Sequence, residues 1–267
     1  MKLKMLLIAV MVLCAALSAC NNEGKENRPK IEVSSYSEKT LEAKLPLQLN
    51  LECENSNIQI YSWNKKEIKF EMTRRIRGIE SKANLMKHLD VFDINISMED
   101  NRASLVYKYN GNNVKPAENI LDLKVYIPKK TGYINCIQKN GKLKFFDDVN
   151  CDVNIDTGTV DVEMNSFEGK LLYKSQSGDL RISEGKIKNE SNINIIKGNI
   201  RIKAKFEPAG SYNFKTGTGI LELCLPDNTN AIVEATGQFE TVKLEEGELP
   251  AYFRLQSDIG KISITKF

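Results

Sequence analysis

Apolar and polar residues alternate at a period of two through most of the chain after residue 30, and glycines punctuate the alternation. A five-residue unit, glycine-x-apolar-x-apolar, recurs as Gly141-Lys142-Leu143-Lys144-Phe145, Gly158-Thr159-Val160-Asp161-Val162 and Gly178-Asp179-Leu180-Arg181-Ile182. It returns as Gly198-Asn199-Ile200-Arg201-Ile202, Gly219-Ile220-Leu221-Glu222-Leu223 and Gly260-Lys261-Ile262-Ser263-Ile264. The glycines are spaced by 17, 20, 20, 21 and 41 residues, and a degenerate unit at Gly237 sits in the last gap. Five residues before each glycine stand Cys136, Val153, Tyr173, Ile193, Phe214 and Leu255; seven before stand Ile134, Cys151, Leu171, Ser191, Tyr212 and Phe253. Each unit thus reads as a strand, a glycine turn and a second strand, with four side chains on one face.

Two architectures meet that pattern. A meander closes a hairpin at each glycine, whereas a β-solenoid makes each unit one coil and stacks equivalent strands in parallel. Hairpins give no reason for one register to return every twenty residues, and stacked coils require it. The expected fold is therefore all-β: a single-chain parallel β-solenoid over 31–267, less regular over 31–130 and regular over 131–267. Its inward columns would be Leu143, Val160, Leu180, Ile200 and Leu221, and beside them Phe145, Val162, Ile182, Ile202 and Leu223. The outward row would carry Lys144, Asp161, Arg181, Arg201 and Glu222, with Arg181 and Arg201 as a like-charged pair.

The N-terminal part follows a looser version of the rule. Leu49, Leu51, Ile58 and Ile60 flank Ser56, Trp63 opens a turn, and Ile68-Lys69-Phe70 follows. Residues 80–90 form the one expected helix, with Leu85, Met86 and Leu89 as its apolar stripe and His88 beside them. The 49–60 strand-turn-strand with Trp63, the Leu123-Lys124-Val125-Tyr126-Ile127-Pro128 stretch, and Leu223-Cys224-Leu225-Pro226 resemble the bacterial putative-adhesin β-strand repeat family over about 31–267. That resemblance implies a secreted or lipid-anchored repetitive β domain with no assigned catalytic residues.

Residues 1–19 read as an export signal. Lys2 and Lys4 precede the apolar run Met5–Leu17, which at the helical rise is about 20 Å long, short of a bilayer core of about 30 Å. Leu17-Ser18-Ala19-Cys20 resembles a bacterial lipobox, in which Cys20 would become the acylated first residue of the mature chain; an ordinary secretory cleavage after Ala19 is the alternative. Residues 20–30 are polar and carry Gly24 and Pro29, a tether composition. The expected location is the bacterial cell envelope, with the membrane as partner through Cys20.

Composition narrows the chemistry. Of a net charge of +3, Lys2 and Lys4 account for two, so no nucleic-acid footprint remains. A single histidine, His88, leaves no histidine triad or multi-histidine metal centre, and the glycine-aspartate nonapeptides of calcium β-rolls are missing. No cofactor is expected. The carboxylates Asp147, Asp148, Asp152, Asp156, Glu245, Glu246 and Glu248 read as solvated turn residues, with a polysaccharide-active enzyme as the competing possibility. Arg74, Arg75 and Arg77, near Lys65, Lys66 and Lys69, form the densest basic cluster, a candidate site for anionic envelope polymers or headgroups. Cys53, Cys136, Cys151 and Cys224 are expected as thiols, with 136 and 151 inward and not bonded to each other. The functional expectation is a non-enzymatic binding, adhesion or envelope-structural module with an envelope polysaccharide or surface protein as partner; an envelope-stress accessory with a membrane-protein partner is a third reading.

Overall fold

A computed structural model describes residues 29–111, 118–242, 244 and 247–267. In chain order the elements are β1 (Ile31–Glu42), β2 (Leu47–Trp63), β3 (Glu67–Gly78), α1 (Lys82–Leu89), β4 (Phe92–Glu99), β5 (Arg102–Tyr109) and β6 (Glu118–Pro128). There follow β7 (Thr131–Val149), β8 (Asp152–Gly169), β9 (Leu171–Ser177), β10 (Leu180–Ile182), β11 (Gly185–Ile187), β12 (Asn192–Lys197) and β13 (Ile200–Lys203). The last are β14 (Lys205–Phe206), β15 (Ser211–Thr218), β16 (Leu221–Leu225), β17 (Ala231–Thr241) and β18 (Ala251–Lys266). The expected export signal, the lipobox-like segment with Cys20 and most of the expected tether lie outside the described residues.

Parallel pairing dominates, and it aligns the inward side chains into columns. Before the glycines, Leu51, Cys136, Ile155, Tyr173, Ile193, Phe214 and Leu255 are successive partners. After them, Ile58, Leu143, Val162, Leu180, Ile200, Leu221 and Ile262 are partners in the same way. All of these side chains are buried, and each removes about 1.5–3 kcal/mol worth of apolar surface from water.

One repeat differs from the sequence pattern. Gly141 pairs with Val160, and the Val160 carbonyl lies beneath Gly178, so Gly158 stands outside the glycine ladder. Leu143 therefore faces Val162 and Phe145 faces Met164, two residues later than the glycine spacing suggests. The outward partner between Lys144 and Arg181 is accordingly Glu163, not Asp161.

The parallel β-solenoid expected over 31–267 is corrected by the pairing as a whole. Three antiparallel pairs, β1 with β3, β3 with β6 and β4 with β5, join the parallel ones among the described residues. The order also departs from the chain: β2 sits between β6 and β7, and β18 between β16 and β17. The parallel strands close into an eight-strand barrel instead of running as an open solenoid, and the antiparallel pairs add to it. The reason is that period-two alternation specifies faces and says nothing of strand direction or spatial order.

Gly178, Gly198, Gly219 and Gly260 stack with positive φ, each lying against the carbonyl of the residue below. Those inward carbonyls need donors. Side chains three residues upstream of the turn supply two of them, Thr216 Oγ1 donating to Gly198 O (2.7 Å) and Ser257 Oγ to Gly219 O (2.9 Å), and Gln138 Nε2 likewise donates to Ser56 O beneath Gly141 (2.6 Å).

The helix forms where expected. Ser81 caps it, its Oγ accepting from Asn84 N at 3.3 Å, and Leu85, His88 and Leu89 are buried, while Met86 of the expected stripe faces solvent. The four cysteines are free; Cys136 pairs in register with Leu51 and Ile155 rather than meeting Cys151. Burial pushes the thiols of Cys53 and Cys151 up to about 12 and raises that of Cys136 as well.

Candidate binding face

The strands that follow the glycines share one outer face. At its N-terminal end four rings stack in sequence: Phe146 on Tyr61 (centroids 4.8 Å apart, 8° between planes), Tyr61 on Tyr126 (5.1 Å, 19°), and Tyr126 against Trp63 (5.3 Å, 32°). The pairing of β2 with both β6 and β7 creates this row, because it sets Tyr61 beside Tyr126 and Ile60 beside Phe145. Lysines close both ends, Lys144 Nζ 4.7 Å from the Phe146 centroid and Lys65 Nζ 4.7 Å from that of Trp63. Trp63 Nε1 donates to Glu67 O at 2.7 Å. Ring faces are thus spent on one another and on ammonium groups, which leaves edges toward solvent and little surface for stacking a sugar. Sequence reasoning used Trp63 and Tyr126 only as family markers; the available signal was their outward parity on their strands.

Along the same face runs the charged row Lys144, Glu163, Arg181, Arg201, Glu222 and Ser263. Lys144 bridges Glu163 at 2.9 Å, and Arg201 bridges Glu222 at 2.9 Å and Asp179 at 3.8 Å. No carboxylate lies within 4.0 Å of Arg181 among the described residues. Arg181 and Arg201 are direct partners on adjacent parallel strands, about 4.8 Å apart across the sheet. They line a groove of about 390 Å³ with Lys203, Glu222, Ser263 and Thr265. Hydroxyl donors and two or three cations around one opening suit an anionic group.

The basic run on β3 is placed differently. Arg75 forks onto Asp122, with Nη2 to Oδ1 at 3.0 Å and Nε to Oδ2, and lies 3.6 Å from Glu32. Arg77 meets Glu118 at 3.8 Å. Arg74 donates to Leu89 O (3.2 Å) and Ser35 Oγ (2.9 Å). Lys69 is shared by Glu71 (2.8 Å) and Glu38 (3.0 Å), and the Glu38 carboxyl is held below its ordinary value by Lys69 first and then by the Tyr36 hydroxyl. The structure therefore distributes Arg74, Arg75 and Arg77 among internal partners and does not bring them to one opening. Cys20 lies outside the described residues.

Of the acids weighed for catalysis, Asp147 and Asp152 hold backbone N–H groups, and Glu245 and Glu246 lie outside the described residues. Asp147 Oδ2 accepts from Ser62 N and Asp152 Oδ1 from Lys170 N, each at 2.9 Å. No group of three or more potential metal ligands occurs among the described residues. No helix there is long and apolar enough to cross a membrane.

No family model matches the chain, and no curated protein matches it. Solved structures similar to it include a "putative cell adhesion protein" from Clostridium sporogenes, at 11% identity over 88% of this chain and 100% of that one, with a TM-score of 0.38. A "putative adhesin" from Parabacteroides distasonis has 13% identity over 87% and 97%, with a TM-score of 0.41. A "putative lipid binding protein" from the same species has 10% identity over 86% and 96%, with a TM-score of 0.36.

Proposed function

We propose that this chain is a non-enzymatic binding module of the bacterial envelope, tethered through an acylated Cys20, which holds an elongated anionic envelope polymer along its outer face. The observation that carries the reading is the in-register pair Arg181 and Arg201 at the mouth of a groove that also presents Lys203, Ser263 and Thr265, with Glu222 paired to Arg201. Like charges opposite one another on adjacent strands are destabilising. A phosphate or carboxylate between the two guanidiniums turns that repulsion into two charge-assisted hydrogen bonds. Strand partners repeat every ~4.8 Å, so a linear polymer laid across the strands meets a new outward side chain at each step.

The test is titration of the purified protein with a poly(glycerol phosphate) and with neutral dextran, at two salt concentrations. The polyanion binds, dextran does not, and raising salt weakens binding. The double change Arg181→Ala with Arg201→Ala weakens binding at least tenfold and leaves the melting temperature within a few degrees. Equal binding by that variant, or equal binding of dextran, overturns the reading.

A further inference from the structure

The N-terminal sheet leaves two strand edges unpaired. Among the described residues β1 pairs only with β3, and β4 only with β5. Between them lies a cleft of about 340 Å³, floored by Met72, Phe92, Ile94 and Ile96 and bordered by Lys39 and Arg74. No main-chain hydrogen bond joins β1 to β4. The link is a side chain: Lys39 Nζ donates to Ile96 O at 2.9 Å.

That single contact carries two consequences. Lys39, paired with the buried Phe70, projects from the inner face of β1, so its contact with Ile96 O brings the free edge of β4 to that face. The Ile96 carbonyl must also face the open edge, and in an extended strand the N–H and C=O of one residue point the same way and alternate along the chain. Ile94 and Met98 therefore offer their main-chain groups to the same side, while the side chains of Ile94, Ile96 and Met98 are half-buried on the inner face. Natural sheets guard such edges with lysine, and Lys39 holds the Ile96 carbonyl until an incoming strand displaces it.

We infer that the cleft between β1 and β4 receives one extended peptide segment of a protein partner as an added strand. Main-chain hydrogen bonds to β4 would supply affinity, and alternate apolar side chains on the segment would pack onto Met72, Ile94 and Ile96. Charge selects its flanks. Glu38, the carboxylate at the cleft, is taken by Lys69, so Lys39 and Arg74 leave the rim positive and favour acidic residues on the peptide.

The probe is a fluorescein-labelled, end-blocked peptide, Glu-Val-Thr-Val-Thr-Val-Glu, titrated into the full chain. It binds, and hydrogen exchange shows new protection of the Ile94 and Ile96 amides. The same peptide with proline at its central valine does not bind. Lys39→Glu weakens binding at least tenfold with an unchanged melting temperature, and so does Ile96→Lys; Lys39→Glu is exposed and stands as the test if Ile96→Lys fails to fold. Binding by the proline peptide, absence of binding, protection confined to other strands, or closure of the cleft by a second copy of this chain in sedimentation each overturns the inference. The Arg181 and Arg201 variant binds the peptide normally, so failure here and failure of the polymer reading are separable.

Discussion

At the scale of single residues, the glycine ladder shows how one atom sets the architecture. Gly198 has φ of 153°, and a Cβ there would collide with the carbonyl oxygen of Gly178 below it. Both the backbone conformation and the stacking distance exclude a side chain. Gly198→Ala should therefore destabilise by about 1–3 kcal/mol in denaturant unfolding, the range for a residue forced into sparsely populated backbone space. An unchanged midpoint would show that the stack relaxes around a methyl group. Glu54 acts at the opposite polarity. Its carboxylate accepts from Lys139 Nζ at 2.7 Å and Tyr109 N at 3.0 Å, tying β2 to β7 and β5. Burial raises its pKa, but Lys139 and the Tyr109 N–H outweigh burial and leave it below the ordinary 4.5. A folded value lower than the unfolded one means stability that is present above the unfolded pKa and lost as pH falls through the folded one. Glu54→Gln should thus cost on the order of 1 kcal/mol at pH 7 and progressively less as pH falls through the folded pKa, so the two unfolding curves converge in acid.

At the scale of elements, the columns outweigh the charges that decorate them. Ile200 is buried between Leu180 and Leu221, whereas Arg201 beside it is exposed and bridges Glu222 across solvent. Truncating a core isoleucine costs about 2–5 kcal/mol, and breaking an exposed ion pair costs at most about 1. Ile200→Ala should lower the melting temperature far more than Arg201→Ala, and comparable losses would refute a core built from these columns. The same comparison marks what the sequence discloses. The inward residues after Gly178, Gly198, Gly219 and Gly260, the helix and the Arg181–Arg201 juxtaposition are all legible, because period-two alternation and a fixed repeat determine face and register. Gly158 misleads, since it occupies the strand without being the turn, and Val160 takes the stacked position. The antiparallel pairs of β1, β3, β4 and β5, and the placement of β18 between β16 and β17, are illegible locally. They depend on which edges meet in space, and alternation is identical in either strand direction. The aromatic row needs that same nonlocal pairing before Tyr61, Tyr126 and Phe146 become neighbours.

At the scale of the whole molecule, the proposed anchor and the binding face have separate physical causes and can be separated experimentally. Anchoring rests on Leu17-Ser18-Ala19-Cys20 and the polar segment that follows, a different stretch of the chain from Arg181 and Arg201. Two acyl chains on one residue give membrane attachment that a single chain does not sustain. The domain beyond the tether has a nearly balanced charge once Lys2 and Lys4 are removed, so headgroup attraction alone should hold it only weakly. Cys20→Ser should therefore move the protein from the detergent-rich to the aqueous phase in detergent phase separation, and mass spectrometry should find no acyl chain. Its purified form should still bind poly(glycerol phosphate) with the affinity of the parent domain, because Arg181, Arg201 and the hydroxyls around them are untouched. Continued partition into detergent by the serine variant would show that the chain is held by something other than the thiol at position 20. Loss of polymer binding along with the anchor would show that the face works only when a membrane surface concentrates or orients it.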